Sequence, residues 1–355
     1  MSYTNGLDKP TDYFDTKLHN GNATAKTLAY DFEVDMFWTK MRNDAYPHSV
    51  YDSVRGANQQ LRTNVNNAER VAGNTVSFGN SSGVSLGTDS GNYGTNKTLT
   101  DGGSQATYVG WGWRANGSGS SNTDGSITST VSANTTSGFS IVSYTGTGSN
   151  ATVGHGLGSA LSMVIVKERN GGGQWSVQST SLSTADKVLH LQSTTAEATK
   201  ADHFNSTLPT NSVFSLGDST NTNGSSNNFI AYCFAEKKGF SKFGSYTGNG
   251  QSGDNAPFVY MGFKPAMVIY KRASDGTNNW SIFDNKRDPH NEIDAQLNPN
   301  ISDAEGTSSR GDFVSNGWKI RTSSGSVNNS GSTYIFMAFA ENPFVTSTGI
   351  PTTAR

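Results

Sequence analysis

The sequence predicts an all-β chain of three tandem β-sandwich or jelly-roll-like units, each about 100 residues long. Three observations predict it. Ser, Thr, Asn and Gly make up close to half of the 355 residues, with 40 Gly, and only 15% are charged. Helices favour Ala, Leu, Glu and Lys, whereas these small polar residues belong to turns and strand faces. Phe, Tyr and Trp supply 10% of the chain, too many for a disordered one. The apolar residues also come in short runs that recur at a fixed offset, which marks an internal repeat.

An N-terminal segment, 1–11, precedes a divergent first unit at 12–116. Its strand Met36-Phe37-Trp38-Thr39-Lys40 is followed by His48-Ser49-Val50-Tyr51-Asp52, by Ala68-Glu69 and by the closing strand Tyr108–Trp113. Residues 117–136, dense in Gly, Ser and Thr, read as a flexible linker. The second unit, 137–238, opens on Gly138-Phe139-Ser140-Ile141-Val142-Ser143-Tyr144-Thr145-Gly146. It continues through Met163-Val164-Ile165-Val166-Lys167, Trp175-Ser176-Val177 and Ala196-Glu197, and closes on Phe229–Glu236. The third, 239–344, repeats this with Gly239–Gly248, Met267–Lys271, Trp280-Ser281-Ile282, Ala304-Glu305 and Tyr334–Glu341. Met163 and Met267 are 104 positions apart, Phe229 and Tyr334 are 105, and Met36 and Met163 are 127. A short tail, 345–355, ends the chain.

Within each unit the β-branched run Val164-Ile165-Val166 is a strand. The closing strand is apolar on both faces, as in a buried layer. Gly171–Gly173 and Asp275-Gly276-Thr277 suit hairpin turns, and 221–228 and 323–332 are loops. The one helical stretch expected is Ser181–Leu191. Trp175 and Trp280 recur and are expected core anchors. With no linker between them, the second and third units should pack on each other more closely than on the first.

Composition also bounds function. A net charge of −2 gives no basic footprint for nucleic acid and no polybasic membrane patch. No window reaches the ~18 apolar residues of a membrane span. No apolar stretch follows Met1, so synthesis in the cytoplasm is expected. The single Cys233 excludes an internal disulfide and reads as a small buried hydrophobe.

A ligand or catalytic residue used by the unit should recur in its copies. None of His19, His48, His155, His190, His203 and His290 does so in all three, and no H-x-x-x-H or C-x-x-C spacing occurs. Gly79-Asn80-Ser81-Ser82-Gly83 matches a nucleophile elbow in letters but lacks the strand–helix context. Arg310-Gly311-Asp312 spells an adhesion tripeptide by accident. Asp52 and Asp284 recur in the first and third units, with Ser179 in the second, and read as turn or cap aspartates. Lys40, Lys167 and Lys271 recur in all three and read as lysines at strand ends that protect sheet edges, with a buried Glu of the Ala-Glu pair as a further candidate partner. No catalytic, cofactor or metal residues, and no cofactor, are assigned.

The strings GFSIVSYTGTG, VGHGLG, MVIVKERN, YIFMAFAENPF, SKFGSYTGNG and LDKPTDYFDTKL, spread over residues 7 to 344, resemble an uncharacterised repeat domain of marine phage tail-fibre and other virion structural proteins. The first unit departs most, with Trp111 and Trp113 for smaller residues and Leu18-His19-Asn20-Gly21 for Tyr-Thr-Gly. The resemblance implies a virion component that binds other virion proteins and carries no catalytic assignment; the balanced charge and a small polar surface suited to weak, repeated contacts add the expectation of a homo-oligomer on the virion exterior. It brings no site residues. Aromatics among Asn and Ser suit carbohydrate, so a tail fibre or adhesin that binds host-surface glycan is the first expectation. A capsid decoration or head-fibre protein is the second. A glycan depolymerase is a third, and it would need paired carboxylates from a chain poor in acids.

Overall fold

A computed structural model of the protein describes residues 7–100 and 102–352. The first unit contributes β1 (Phe14–Asn20), β2 (Lys26–Ala29), β3 (Met36–Met41), β4 (Ser49–Asp52), β5 (Gln59–Arg62), β6 (Arg70–Val71), β7 (Val76–Ser77), β8 (Gly83–Leu86) and β9 (Thr107–Trp113). Two strands follow, β10 (Ser120–Asn122) and β11 (Ser129–Asn134). The second unit contributes β12 (Phe139–Thr145), β13 (Ala151–Gly154), β14 (Met163–Glu168), β15 (Ser176–Ser179), β16 (Lys187–His190), β17 (Ala198–Thr199), α1 (Ala201–Phe204), β18 (Val213–Leu216), α2 (Thr220–Asn223) and β19 (Asn228–Phe234). The third contributes β20 (Ser241–Thr247), β21 (Phe258–Tyr260), β22 (Phe263–Arg272), β23 (Ser281–Asp284), β24 (Ile293–Gln296), β25 (Gly306–Val314), β26 (Gly317–Ile320), α3 (Gly325–Asn328) and β27 (Thr333–Pro343). The chain is all-β, and each described α-helix is a single turn.

Each unit pairs its opening strand with its closing strand, the closing strand with the Met-to-Lys strand, and that with the next. The orders are β1-β9-β3-β4, β12-β19-β14-β15 and β20-β27-β22-β23, all antiparallel. The register is the same in each sheet. Met36, Met163 and Met267 lie opposite Trp113, Phe234 and Phe339 on one side. On the other side they lie opposite Asp52, Ser179 and Asp284. A smaller sheet covers the outer face of each: β2-β8-β7, β13-β18 and β21-β26-β25-β24.

Alternation along the closing strands explains why they are apolar throughout, because successive side chains point to opposite faces. In β19, Phe229, Ala231 and Cys233 enter the second unit's own core, between its two sheets. Ile230, Tyr232 and Phe234 enter a different cluster, which also receives Trp111 and Trp113 from the first unit and Met337 and Phe339 from the third. The three large sheets thus turn their inner faces to one shared core. At its centre the Phe339 ring lies 5.6 Å from Trp113 and 6.1 Å from Phe234.

Three expectations need correction. The segment 117–136 is not a linker: β11 pairs with β12 and extends the second sheet to β10-β11-β12-β19-β14-β15-β16-β17. Its Ile127 and Val131 are buried with Val153 and Leu157. Residues 181–191 form no helix. Val188 packs in the unit's own core and Leu189 in the shared one, and that two-residue alternation makes a strand, β16. The first unit is also no outlier in packing, since it meets both others in the shared core.

Candidate functional site

The residues that recur in the sequence gather at the seams between units. Lys40, Lys167 and Lys271 are fully buried. Lys167 Nζ donates to the carbonyls of Glu168 (2.6 Å) and of Asn66 in the first unit (3.0 Å). Lys271 Nζ donates to those of Arg272 (2.7 Å) and of Thr194 in the second unit (3.1 Å). Lys40 Nζ donates to the carbonyls of Met41 and Asp44. The edge-lysine expectation is overturned, because these ammonium groups are internal and their partners are carbonyls rather than Glu side chains. Burial pushes Lys40 down to about 7 and Lys167 and Lys271 down to about 8.

The Ala-Glu pairs tie the units into a closed cycle. The backbone N–H of Glu69 donates to Arg169 in the second unit, that of Glu197 to Ala273 in the third, and that of Glu305 to Arg42 in the first. Glu69 also forms ion pairs with Arg169 (2.9 Å) and Arg55 (2.8 Å), and Glu305 with Arg42 (2.6 Å) and Arg287 (3.0 Å). Burial alone would raise both carboxyls; their arginine partners offset it and hold them below the ordinary range.

Asp52 and Asp284 cap turns, accepting the backbone N–H of Arg55 and Arg287. Each also forms a fully buried ion pair with that arginine, at 2.5 and 2.6 Å. A neighbouring unit completes each pair: Tyr232 Oη donates to Asp52 (2.8 Å) and Trp111 Nε1 to Asp284 (3.0 Å). In the second unit Ser179 and Leu182 take the places of Asp and Arg. The closing-strand position of Tyr232 and Trp111 is Met337 in the third unit. Trp175 and Trp280 are buried anchors whose indole N–H groups donate across seams to the carbonyls of Arg62 and His190. His48 fills the same position in the first unit, accepting from Trp38 Nε1 (3.1 Å). Burial, then the charges of Lys40 and Arg287, holds its imidazole well below the ordinary value.

A further recurrence lies in the loops before the closing strands. Asn96, Asn223 and Asn328 are fully buried. Their side-chain oxygens accept the N–H of Asn22, Thr147 and Asn249, just past the opening strands. Each side-chain amide donates to two carbonyls. Beside them His19, Tyr144 and Tyr246 each bond the carbonyl of the residue before the Asn. They stack on Tyr108, Phe229 and Tyr334, with centroids 4.9, 5.2 and 5.0 Å apart. The Tyr-to-His change in the first unit therefore keeps the contact.

The other singled-out residues are dispersed. Gly79–Gly83 is the turn between β7 and β8. Arg310 and Asp312 lie in β25, bonded to Gln296 and Arg321. Cys233 is buried and free, and burial raises its thiol pKa. Among the described residues no group of three or more His, Cys, Asp or Glu is placed to hold a metal ion.

A cleft of about 700 Å³ lies beside the third unit. Glu236, Lys238, Gly239, Ser241 and Lys242 form one wall, Tyr260–Gly262 another, and Phe344, Val345 and Gly349 of the tail the third. The tail is held there in part by Ser347, whose N–H donates to Asp8 (2.7 Å). Phe258, Tyr260, Phe344 and Ile350, exposed by 40 to 63%, are half of the large apolar side chains open to solvent among the described residues. Phe258 and Tyr260 alternate with buried Val259, so both rings stand on the outer face of the third unit's small sheet.

The family described as Domain of unknown function (DUF7483) matches residues 9–343. The chain belongs to this family. No curated protein matches the chain. The matched DUF7483 region runs through all three units and the β10–β11 segment. Of its internal contacts, sequence reasoning located the Lys, Glu, Asp and Trp positions but missed the Asn set and the cleft. The Asn set was detectable as an Asn six residues before the closing-strand aromatics Phe229 and Tyr334, with Asn96 twelve before Tyr108 in the divergent first unit. The cleft had no sequence signal beyond two aromatics flanking a valine.

Proposed function

We propose that this protein is a non-enzymatic structural component of a virion exterior, a tail fibre or adhesin whose exposed rings contact host-surface glycan. The observation that carries the reading is the pair Phe258 and Tyr260 on the solvent face of β21, with Phe344 across the cleft. Flat rings on a rigid sheet stack on sugar faces at little entropic cost. The resemblance to phage tail-fibre proteins supports the setting. Inside the assembly, the recurring charged groups are engaged in seam bonds, which suits a scaffold. Such contacts are individually weak and become useful when several copies engage together.

Soluble protein should slow adsorption of the phage to its host, and Phe258→Ala with Tyr260→Ala should abolish the effect without lowering the melting temperature. If adsorption is untouched while the protein is found bound to the capsid shell, the decoration reading replaces this one. Release of sugars from host polysaccharide by the pure protein would refute the non-enzymatic reading.

A further inference from the structure

The three large sheets share strand order and register but not the treatment of the free side of the opening strand. In the second unit that side is covered. β11 pairs along β12, from Thr130 opposite Ser143 to Asn134 opposite Phe139. Val131 and Ala133 of β11 press on Gly156: a Cβ there would lie 3.0 Å from Val131 and 3.3 Å from Ala133. Gly156 has φ +69°, a left-handed backbone that glycine alone adopts at no cost.

In the first unit the free side of β1 is blunted in part, by one side chain of its own and one from β2. The Thr16 N–H donates to the Asp15 carboxylate, and Lys26 Nζ donates to the Asn20 carbonyl. Charged side chains placed at an edge strand are a usual defence against pairing.

The third unit has no covering strand, and beside its free edge lies an open counterpart of the seat that β11 fills. Gly262, with φ +78°, precedes Phe263 as Gly156 precedes Leu157. Where Gly156 faces β11, Gly262 faces the cleft and the Tyr260 ring, whose Oη lies 3.4 Å from a Cβ placed on it. Gly248 N–H bonds Ser332 and the Phe240 carbonyl bonds Ala340, so even-numbered residues of β20 point their backbone groups inward to β27. Ser241, Phe243, Ser245 and Thr247 point theirs outward. Lys237 accepts the Ser241 N–H. Glu236 accepts that of Phe243 at 3.2 Å while pairing with Lys242 at 2.7 Å. Both of these side chains are about one-third exposed, 33% and 36%, so this carboxylate is a displaceable plug.

We propose that the free side of β20, with the cleft beside Gly262, is a strand-acceptor site. It takes an extended, uncharged segment of a partner polypeptide, rich in Ser and Thr, with small apolar side chains at alternate positions. This chemistry is that of Ser129-Thr130-Val131-Ser132-Ala133-Asn134, which fills the corresponding seat in the second unit. Backbone bonds to Phe243, Ser245 and Thr247 would supply affinity, and the hollow over Gly262 would select a small side chain. The proposal goes beyond glycan contact, since the rings of Phe258 and Tyr260 are not what pairs with the strand.

The probe is a synthetic peptide of residues 127–136, titrated into the full chain by calorimetry with amide shifts followed by NMR. The expected result is saturable binding, with the largest shifts at Phe243, Ser245, Thr247 and Gly262. Ser245→Pro keeps the fold, because proline is tolerated where an edge strand's N–H faces solvent. It should weaken binding about tenfold or more. Glu236→Ala, which removes the plug, should strengthen binding several-fold. No saturable binding, equal binding by a scrambled peptide, or shifts confined to other edges would overturn the proposal. If Ser245→Pro melts early, the shift map and Glu236→Ala decide it. The peptide titration involves no sugar, so it fails or succeeds separately from the adsorption assay.

Discussion

Replacing Arg55 by leucine should be among the more damaging single changes at a seam, and repairing it should need two further changes copied from the protein itself. Arg55 and Asp52 are both fully buried, and Tyr232 of the second unit donates to the same carboxylate. Arg55→Leu leaves Asp52 an uncompensated buried charge, which costs about 3–5 kcal/mol. The corresponding seam carries Ser179, Leu182 and, at the closing-strand position, Met337. Each aspartate in the first and third units faces a polar aromatic donor from a neighbour, and where the aspartate is absent a methionine stands in the donor's place. The triple variant Asp52→Ser, Arg55→Leu, Tyr232→Met removes charge and donor together, and Glu69 keeps Arg169. Replacing a buried ion pair by apolar groups of similar volume is close to neutral, so the triple variant should fall within about 1–2 kcal/mol of the native chain. Denaturant unfolding with unchanged m-values measures both. If the triple variant is no more stable than Arg55→Leu, the seams are not interchangeable and the argument from recurrence fails.

Trp175→Ala and Trp280→Ala should each cost about 3–5 kcal/mol, the range for deleting a buried aromatic; a loss under about 1 kcal/mol in denaturant titration would show that the ring is no anchor. The buried lysines set a pH dependence: their folded values of about 7 to 8 lie below the ordinary 10.5, so between these limits the unfolded chain holds protons the folded one has released. Stability should therefore rise as pH goes from about 7 to 10, by up to about 1.4 kcal/mol per pH unit for each lysine, and Lys167→Met should flatten the curve; a fall in denaturant midpoint over that range contradicts this. Chelator should leave the melting temperature unchanged, and a large drop would reveal a metal site. The isolated second unit, 117–238, should not give a folded monomer, because Ile165, Trp175, Ile230, Tyr232 and Phe234 would face water; a sharp, monodisperse melting transition from that fragment would refute the shared core.

What was legible in the sequence was whatever a single strand encodes. Val164-Ile165-Val166 and the closing runs carry their pairing in β-branched and aromatic residues, and their apolar character on both faces signals burial on both faces. What was illegible depended on neighbours. The segment 129–134 reads as a linker because Val131 and Ala133 are small and its other residues are polar; only the glycine seat at Gly156 makes them core residues. Lys187–His190 reads as helix because Val188 and Leu189 are adjacent, and nothing local says that two different cores await them. The buried lysines misled for a related reason. A lysine at a strand end normally reaches water, and here the next unit's loop carbonyls lie in the way. The cleft is a negative feature, a seat without its strand, and no residue pattern announces that.

The closed cycle decides what the folding domain is. A sandwich of two sheets buries one face of each and normally leaves the others to solvent. Here the large sheets bury both faces, the outer against a small sheet and the inner against the other two units. One-third of the assembly would expose an apolar wall, so no unit can lose its neighbours. Cyclic oligomers solve the same problem with identical subunits and identical seams. A single chain that closes the cycle internally frees its seams to diverge, and they have: two carry Asp–Arg pairs and one carries Ser and Leu; two carry Trp and one carries His48. The opening-strand edges have diverged as well: β12 is covered by β11, β1 is partly blunted by Asp15 and Lys26, and β20 is met by the Lys237 carbonyl and the displaceable Glu236 beside an open cleft. Divergence at the seams is constrained by the shared core, whereas divergence at the edges is not. The distinctive chemistry of this protein is therefore to be sought at its edges and outer sheets, on the third unit above all.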